Sequence, residues 1–466
     1  MDNTSYTPEE PIAAIATALA PSALGIIRMS GKNSIELLSK LFSRPKALLA
    51  AEGNSIVYGW IKDGDNKIDE VLVSVFKGPK SFTGEDMAEI SCHGGTAVIS
   101  TIFNLLLKNG FRQAERGEYT FRAYINGKAD LTKAEAIREI IESRTDSSRG
   151  RAAGRLAGSL YDEISSIKKL IIDTLAAIEV EIEYPEDEET IADAFNRDGI
   201  VEAISRLKSL NDSWKSEKLF QDGARLVLCG KTNAGKSSLF NSMLKEDRAI
   251  VSDIEGTTRD WIESWISIDG IPARLFDTAG LRNTDDYVEQ VGVERTHDLS
   301  EDADVILYLA DSTQKINDED LKFLKAFSTP VIFVWNKLDR INQNEKKPAL
   351  SENTKKIIPS LTKEVYVSAK NSSGIDELTA TLKNILTAGK ETSREHAGLG
   401  SSRQKIAVEQ ALECVEHALV AADDNYTLDA VVQDLEDSLD FLGEITGEVT
   451  PDDVLGSIFS NFCVGK

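Results

Sequence analysis

Cysteine is scarce in this chain of 466 residues, which contains four, at Cys92, Cys229, Cys414 and Cys463. These four residues lie far apart, and no two of them form a CxxC pair. This spacing argues against a disulfide framework and against a zinc site, and it favours a reducing compartment. We therefore expect a cytoplasmic protein.

The features of an exported or membrane-spanning chain are also missing. The first residues, MDNTSYTPEE, carry acidic side chains where a signal peptide needs a basic region. No apolar run approaches the ~20 residues that a helix needs to cross a bilayer. We expect a protein that is neither exported nor inserted in a membrane.

Basic residues are outnumbered, because 53 Lys and Arg residues stand against 77 Asp and Glu residues, giving a formal net charge of -24. A surface of this charge repels nucleic acid unless basic residues gather locally. We therefore expect any RNA substrate to be held partly by another protein.

The length predicts about three domains, and the sequence pattern changes along the chain. The N-terminal part reads as short strands, interrupted by one helix at about 97–109. Thr132 and Glu135 then form a capping-box pattern, and helical periodicity continues from there to Glu183. A β-rich region is thus followed by a helical one.

A further helix is predicted at about 197–218, after which short β-rich apolar runs alternate with helices from Ala224 to about Thr387. This βαβ pattern indicates a parallel sheet covered on both faces. Helical periodicity returns at Arg403, which suggests that the α/β domain is inserted into a helical one. The predicted fold class is multidomain α+β, with a β-rich N-terminal domain, a helical domain in two segments and an inserted α/β domain, at 1–123, 124–221 with 389–466, and 222–388.

The strongest motif is GKTNAGKS, from Gly230 to Ser237, which follows the predicted strand RLVLCG and precedes the predicted helix SSLFNSML. Its glycines let backbone N–H groups surround phosphates, Lys236 neutralises the β and γ oxygens, and the Ser237 hydroxyl ligates Mg²⁺. The segment is a P-loop.

Three further motifs follow at the spacing of a Ras-like GTPase. FDTAG, with Asp277–Gly280, places a carboxylate beside the metal and a glycine N–H at the γ-phosphate. NKLD supplies Asp339, whose two oxygens can accept from N1–H and the exocyclic amine of guanine, a pair of donors that adenine lacks. SAK, at Ser368–Lys370, would close over the edge of the base. The predicted ligand is GTP, and the inserted domain is predicted to be a Ras-like P-loop GTPase.

The switch segments raise a question about hydrolysis. In EGTTRD, Thr258 would reach Mg²⁺ only when a γ-phosphate is present. The position that carries a water-orienting glutamine in Ras-like enzymes is Leu281 here. Either hydrolysis is very slow, or another cation and another polar side chain take over; four nearby carboxylates could serve, at Asp285, Asp286, Glu289 and Glu294.

With these motifs the chain resembles the MnmE family, the bacterial and organellar GTPases that modify the wobble uridine of certain tRNAs. The resemblance runs nearly end to end and includes GIIRMSG, PKSFTGEDMAEISCHGG, RGEYTFRAYINGKADLTKAEAI, GTTRD, DTAGLR and the terminal FCVGK, at 25–31, 79–95, 116–137, 256–260, 277–282 and 462–466. The chain differs at 19–25, which reads LAPSALG in place of a glycine-rich PPGRGGVG and predicts a less flexible loop.

The resemblance implies a K⁺ ion beside the phosphates, held by Asn233 and by oxygens of Ser252, Ile254 and Thr257. This ion would supply the missing positive charge, and two G domains would pair across the nucleotides when it binds. Glu289 matches the glutamate that positions the attacking water in the family.

The resemblance and the motifs together give Glu289 and Lys236 as catalytic residues and Ser237 and Thr258 as Mg²⁺ ligands. The full set predicted to bind GTP is Asn233, Ala234, Gly235, Lys236, Ser237, Ser238, Ser252, Asp253, Ile254, Glu255, Gly256, Thr257, Thr258, Asp277, Thr278, Ala279, Gly280, Asn336, Lys337, Asp339, Ser368, Ala369 and Lys370.

The N-terminal region resembles a domain that dimerises and binds a tetrahydrofolate derivative, 5-formyl- or methylene-tetrahydrofolate. The matching folate-contacting residues are Arg28, Glu89, Lys128 and Lys466. In MAEISC, Glu89 alternates with apolar residues, so its side chain should lie on the opposite face of the strand from them.

The reaction implied by the resemblance joins GTP hydrolysis to addition of an aminomethyl or carboxymethylaminomethyl group at C5 of the wobble uridine. The carbon comes from the folate, and a flavoprotein partner, which would form a heterotetramer with the homodimer, supplies redox chemistry and much of the tRNA contact. Two other interpretations fit the nucleotide motifs alone: a GTP-switched assembly factor, for instance for ribosomes, and a protein in which GTP is merely structural.

The tail SNFCVGK allows a lipidation signal, a redox thiol, a frayed end or part of an active site. Lipidation needs aliphatic residues after the cysteine and a different last residue, and a redox pair needs a second cysteine nearby. The resemblance favours a site, with Lys466 reaching the folate. Cys463 is a candidate nucleophile toward C6 of uridine, although no histidine or arginine lies close in sequence to activate it.

Overall fold

The computed structural model describes residues 10–183, 195–245, 262–277, 302–342, 346–389, 397–423 and 428–466. The chain forms two compact units. Unit 1 comprises Met1–Arg138, Leu156–Leu207 and Ile406–Lys466, and unit 2 comprises Glu139–Arg155 and Lys208–Lys405.

Unit 1 begins with a six-stranded sheet made of β1 (Ile12–Ile15), β2 (Leu24–Ser30), β3 (Ser55–Asp63), β4 (Asn66–Phe76), β5 (Met87–His93) and β6 (Arg112–Gln113). The strand order is β3-β4-β5-β2-β1-β6, and every pair is antiparallel except β1 with β6. The short helices of this region are α1 (Ser34–Ser39), α2 (Pro45–Leu49) and α3 (Thr96–Lys108).

One face of this sheet is buried and the other is open. Val71, Val73 and Val75 of β4 pack in the core with apolar residues of α1 and α3, as period-two alternation requires. Leu72 between them is 46% exposed, and Ile56 on the neighbouring strand is 65% exposed. The open face therefore carries apolar side chains.

The helices that follow are α4 (Glu118–Ile125), α5 (Leu131–Glu142), α6 (Asp146–Ala157), α7 (Ser159–Glu183) and α8 (Arg197–Asp222). At the start of α5, the carboxylate of Asp130 accepts from the backbone N–H of Lys133 at 3.0 Å and from the hydroxyl of Thr132. The predicted capping box at Thr132 and Glu135 was therefore wrong, because an aspartate two residues earlier caps the helix.

Unit 2 contains a second six-stranded sheet, made of β7 (Ala224–Gly230), β8 (Ile262–Ile268), β9 (Ile271–Asp277), β10 (Val305–Asp311), β11 (Val331–Asn336) and β12 (Leu361–Tyr366). Its order is β12-β11-β10-β7-β9-β8. Among the residues that the structure describes here, the α-helices between and after these strands are α9 (Lys236–Lys245), α10 (Asp318–Lys325), α11 (Glu352–Ile357) and α12 (Ile375–Leu386). The five strands β12, β11, β10, β7 and β9, which are neighbours in this order, are parallel, as predicted. Strands β10 and β11 are apolar along almost their whole length because hydrophobic cores form on both faces of the sheet.

The edge strand β8 departs from the predicted parallel arrangement. It runs antiparallel to β9 through a two-residue turn at Asp269 and Gly270, whose φ angles are 50° and 89°. Two consecutive residues with positive φ match the twist of a tight hairpin, and the Asp-Gly pair suits that turn.

The β8–β9 hairpin is held by Arg144 and Thr145, which directly precede α6 within unit 2, and by Arg274 of β9. The Thr145 hydroxyl donates to the carbonyl of Gly270 at 2.7 Å. The guanidinium carbons of Arg144 and Arg274 lie 4.0 and 4.6 Å from the ring centroid of Trp265. These contacts fix the hairpin through a hydrogen bond and two cation–π interactions.

The last helices are α13 (Ser402–Asp423), α14 (Leu428–Thr446) and α15 (Asp452–Ser460). In unit 1, α14 packs along α7, and Lys168 on α7 pairs with Glu448 at 2.5 Å. The two predicted helical stretches thus pack together. Among the residues the structure describes, no helix is long and apolar enough to span a bilayer.

Candidate functional sites

The nucleotide motifs lie at the carboxyl ends of the parallel strands of unit 2. Backbone register pairs Leu228 with Asp277, Leu309 with Gly230, and Asp311 with Asn336. The ends of β7, β9, β10 and β11 therefore form one edge, which is where open parallel sheets bind ligands.

The glycines of the P-loop are required by positive φ angles and by close contacts with neighbouring residues. A Cβ on Gly230, whose φ is 131°, would lie 2.2 Å from the carbonyl oxygen of Leu309. A Cβ on Gly235, with φ of 96°, would lie 2.3 Å from the side-chain nitrogen of Asn336. The loop can hold this shape only with glycine at both positions.

Lys236 begins helix α9 and is 8% exposed. Its ammonium donates to the carbonyl oxygens of Gly230 and Lys231, at 2.6 and 2.9 Å, inside the loop. Ser237 and Ser238 follow in the first turn of the helix. A cation and a helix N-terminus together suit a phosphate group.

The base-binding motifs contact the P-loop directly. The buried amide of Asn336 donates to the carbonyl of Ala234 at 2.9 Å and accepts from the backbone N–H of Ala369 at 3.1 Å. The hydroxyl of Ser368 donates to the carboxylate of Asp339 at 2.5 Å. NKLD, SAK and the P-loop thus form one hydrogen-bonded arrangement, with exposed Lys370 beside it.

Asp311, at the end of β10, is a buried carboxylate at this edge that belongs to none of the sequence motifs. Its Oδ2 accepts from the ammonium of Lys337 at 2.8 Å. Burial alone would raise the pKa of Asp311, but hydrogen bonds from Lys337 and Thr313 hold the pKa below its usual value. In the sequence, Asp311 is marked only by being a polar residue directly after the apolar run VILYLA.

Some predicted nucleotide residues lie outside the described residues: Ser252, Asp253, Ile254, Glu255, Gly256, Thr257, Thr258, Thr278, Ala279, Gly280, Leu281, Asp285, Asp286, Glu289 and Glu294. Asp277 is described as the last residue of β9.

A second cluster of predicted residues lies on the sheet of unit 1. Arg28 on β2 and Glu89 on β5 are register partners, and Arg28 Nε donates to Glu89 Oε1 at 2.8 Å. Glu89 is half-buried, whereas its neighbours Ala88 and Ile90 are fully buried, so the predicted alternation is confirmed. A second nitrogen of Arg28 donates to the carbonyl of Gly465 at 3.0 Å.

The C-terminal tail is held beside this pair. Gly465 has a φ of 93°, and a Cβ there would lie 3.0 Å from the carbonyl oxygen of Ile15. Val464 forms an antiparallel bridge with Arg116, and Cys463 is exposed. The structure therefore places half-buried Lys466 next to the residue that Arg28 contacts.

Lys128 is connected to this cluster through a loop. Its ammonium donates to the carbonyl of Pro79 at 2.9 Å. Phe82 in the same loop lies with its ring centroid 5.9 Å from the guanidinium carbon of Arg28. Arg28, Glu89 and the tail meet directly, whereas Lys128 contacts the loop beside them.

The segment from Arg112 to Arg122, which includes the tail contact of Arg116 with Val464, is held by a buried ion-pair network. Arg122 is fully buried and donates to Glu118 and to Glu85, both at 2.9 Å, while Arg112 donates to Glu118 at 2.6 Å. Burial alone would raise the pKa of Glu118, but these arginines and the backbone N–H of Glu115 hold the pKa below its usual value. Glu85 also accepts from the hydroxyl of Ser30, the last residue of β2, at 2.7 Å.

The chain matches two protein-family models that together span most of its length. A family model described as "MnmE helical domain" matches residues 131–463, and one described as "GTP-binding protein TrmE N-terminus" matches residues 11–128. The chain belongs to the MnmE family. The inserted domain is accordingly a Ras-like GTPase domain within a helical domain that follows the N-terminal one.

Curated relatives in the MnmE family match over nearly their full length. A protein named tRNA modification GTPase MnmE from Treponema denticola is 51% identical over 472 residues, covering 99% of each chain. Proteins of the same name from Borrelia recurrentis and Treponema pallidum are 42% and 39% identical, again over 99% of each chain.

Solved structures match part of the chain. A variant of Era from Aquifex aeolicus bound to GDP and aluminium fluoride is 28% identical, over 41% of this chain and 66% of that one, with a TM-score of 0.27. The G domain of the T. maritima FeoB iron transporter is 22% identical, over 36% of this chain and 99% of that one, with a TM-score of 0.25.

Proposed function

We propose that this chain is a cytoplasmic GTPase that acts in tRNA modification. With a flavoprotein partner it adds an aminomethyl or carboxymethylaminomethyl group to C5 of the wobble uridine. The supporting observation is the 51% identity, over 99% of both chains, to a protein named tRNA modification GTPase. The hydrogen-bonded contact between the P-loop and the guanine motifs agrees with the GTPase part of the proposal.

GTP would lie along the carboxyl edge of the unit 2 sheet. Lys236 and the start of α9 would bind the β and γ phosphates, and Asp339, oriented by Ser368, would accept from guanine. Ser237 and Thr258 would hold Mg²⁺, which supplies charge neutralisation at the phosphates. The glycine backbone geometry and the buried lysine are the features that fit these ligands.

Hydrolysis would depend on K⁺ and on pairing of two G domains. Asn233, a P-loop residue with a φ of 61°, would hold the ion with oxygens of Ser252, Ile254 and Thr257. We expect GTP turnover to rise at least about tenfold when K⁺ replaces Na⁺ at equal ionic strength. Equal rates in the two salts would contradict the assignment of Asn233.

Glu289 would position the attacking water. We expect Glu289→Ala to lower the turnover of GTP by roughly a hundredfold, because a general base or water-orienting group contributes about that much. Affinity for a non-hydrolysable GTP analogue should stay within about threefold of the parent value. The neighbouring change Glu294→Ala serves as the matched control, and weak nucleotide binding by Glu289→Ala would show that its role is different.

The folate derivative would bind on the open face of the unit 1 sheet. Glu89, held by Arg28, offers a carboxylate to the N–H groups of a pteridine, and Lys128 and Lys466 would bind the acidic part of the ligand. The half-buried ion pair beside exposed Phe82 fits a planar heterocycle that carries hydrogen-bond donors. Binding of 5-formyltetrahydrofolate by titration calorimetry tests this part alone.

A homodimer through the N-terminal domain is part of the proposal. The exposed apolar residues of the open sheet face support it, because patches of this kind mark association surfaces; they are Leu24, Ile56, Tyr58 and Leu72. The proposed divisions remain 1–123 for folate binding and dimerisation, 222–388 for GTP, and 124–221 with 389–466 for the helical domain.

One omission experiment tests the whole proposal. Wobble-uridine modification of unmodified tRNA is measured with the flavoprotein partner, the folate, GTP and K⁺, and each component is omitted in turn. We expect every omission to abolish the product. A product formed without folate would remove the one-carbon role, and GTP hydrolysis with no product under any condition would favour an assembly factor. Cys463→Ser, included in parallel, loses the product only if the thiol is the nucleophile.

A further inference from the structure

Asp311 occupies a position in the nucleotide site that none of the sequence motifs assigns. It is the last residue of β10, is 8% exposed and is the register partner of Asn336. Both of its carboxylate oxygens are used: Oδ2 accepts from Lys337 at 2.8 Å, and Oδ1 accepts from the backbone N–H and hydroxyl of Thr313 at 3.0 and 2.8 Å. A buried carboxylate is thus aimed at a lysine of the guanine motif.

Lys337 adopts an unusual backbone conformation that this contact helps to explain. Its φ is 62°, in the left-handed region that non-glycine residues rarely occupy. Its Cε lies 3.9 Å from the point where a Cβ on Gly235 would be, so its aliphatic stem crosses the P-loop. The backbone N–H of Ser312 also donates to the carbonyl of Asn336 at 2.9 Å, which fixes the two strand ends together. Asp311 therefore holds the ammonium group of Lys337, while the P-loop contacts the aliphatic part of the same side chain.

The charges of this region give the contact a consequence for base recognition. Lys337 is two residues from Asp339, the carboxylate that would accept from the two guanine N–H donors. An ammonium released from Asp311 can pair with Asp339 and occupy the oxygens that the base requires. Asp311 is ionised at neutral pH, because hydrogen bonds from Lys337 and Thr313 lower its pKa despite burial.

We propose that Asp311 is a positioning residue for guanine specificity, which holds the Lys337 ammonium away from Asp339 and keeps the lysine stem against the P-loop. Asp311 itself does not touch the nucleotide. The inference rests on the proposed function of unit 2 as a GTP-binding unit, and it concerns how the base is selected rather than how GTP is hydrolysed.

The test compares two nucleotides that differ only in the exocyclic amine. Fluorescent GDP and fluorescent inosine diphosphate are titrated into the full chain and into Asp311→Asn. We expect the Kd for GDP to rise roughly tenfold and that for inosine diphosphate roughly threefold, since the loss of one charge-assisted contact is of this order. Turnover at saturating GTP should stay within about twofold, because the phosphate-binding groups are unchanged.

A matched control is available in the same sheet. Glu364 on β12 is also a largely buried carboxylate that pairs with a lysine, Lys355, at 3.2 Å. Glu364→Gln should cost stability without changing the ratio of the two Kd values. If Asp311→Asn behaves like this control, with lower stability and an unchanged ratio, the proposed role is wrong.

Two further variants keep the test decisive if Asp311→Asn folds poorly. Thr313→Val keeps the charge but removes one orienting hydroxyl, and it should shift the ratio in the same direction by a smaller amount, about twofold. In a Lys337→Met background, Asp311→Asn should cause no further change, because the effect passes through the lysine. If Asp311→Asn weakened GDP binding equally in the Lys337→Met background, the inference would be overturned. If the parent chain binds no guanine nucleotide, the proposed function fails instead.

Discussion

The two candidate sites are built in different ways. The nucleotide site draws on four segments of unit 2, each with its own local motif, and the parallel sheet brings their strand ends to one edge. The site in unit 1 joins Arg28 to Gly465, residues 437 positions apart, through a single hydrogen bond. A site whose parts are local motifs can be found without the fold, whereas a site closed by the two ends of the chain depends on it.

The largest expected effect separates the two sites. Lys236→Met should weaken GTP binding by about a thousandfold, because the phosphates lose a buried charge-assisted partner. Affinity for 5-formyltetrahydrofolate should be unchanged, since the folate residues lie in the other unit. Fluorescent nucleotide titration and calorimetry measure the two affinities. Lys355→Met, which removes a lysine paired with Glu364, is the control; a folate defect in Lys236→Met would show that the sites are not separate.

The second prediction concerns the ion-pair network beside the unit 1 site. Glu118→Gln should lower the free energy of unfolding by about 3 kcal/mol at neutral pH, because buried Arg122 loses a charged partner. The pKa of Glu118 is lowered in the folded state, so its contribution is present above its ordinary pKa of 4.5 and is lost as the pH falls through the folded value.

Urea unfolding of parent and variant between pH 3 and pH 7 checks this prediction. The difference between the two chains should shrink as the pH falls below about 4.5. Glu163→Gln, which removes a partner of half-exposed Arg206, is the control and should cost less. A difference that stays constant with pH would mean that Glu118 is not the titrating group.

A third prediction addresses the folate pair itself. Glu89→Gln should weaken binding of 5-formyltetrahydrofolate by about tenfold, since a neutral amide replaces the carboxylate that would accept from the ligand. GTP turnover should be unchanged. Glu70→Gln changes another acid on the neighbouring strand, where it accepts from Tyr58, and is the matched control. Equal losses in both variants would point to a general charge effect.

The smallest effect is expected at the tail. Lys466→Met should weaken folate binding by about threefold, because a half-buried charge contact at the end of the chain contributes little and the Arg28 contact to the Gly465 carbonyl is kept. The midpoint of thermal unfolding should not move. Cys463→Ser is the control and should bind folate as the parent does. A loss of folate affinity as large as that of Glu89→Gln would show that Lys466 contributes as much to binding as Glu89 does.

Much of the nucleotide site could be predicted because a polar motif directly follows a buried strand, as at Gly230 and Asn336. Asp311 ends β10 in the same manner but belongs to no motif, so the sequence did not identify it. The antiparallel edge strand β8 had a signal, the Asp269-Gly270 pair between two apolar runs. The contact of Arg28 with the tail had no signal in local period or spacing, and only the family resemblance, which gave Arg28 and Lys466 the same ligand, linked the two ends of the chain.

Trp265 can serve as an intrinsic fluorescence reporter of the structure around it. Its indole faces two guanidinium groups, one carried by β9 and one by Arg144, two residues before α6. The wavelength of indole fluorescence emission shifts when charges lie over the ring. A change in the distance between either arginine and the Trp265 ring would therefore alter the emission spectrum. In a variant that keeps Trp265 and replaces the other four tryptophans with phenylalanine, movement of the hairpin could be followed in real time without any attached dye.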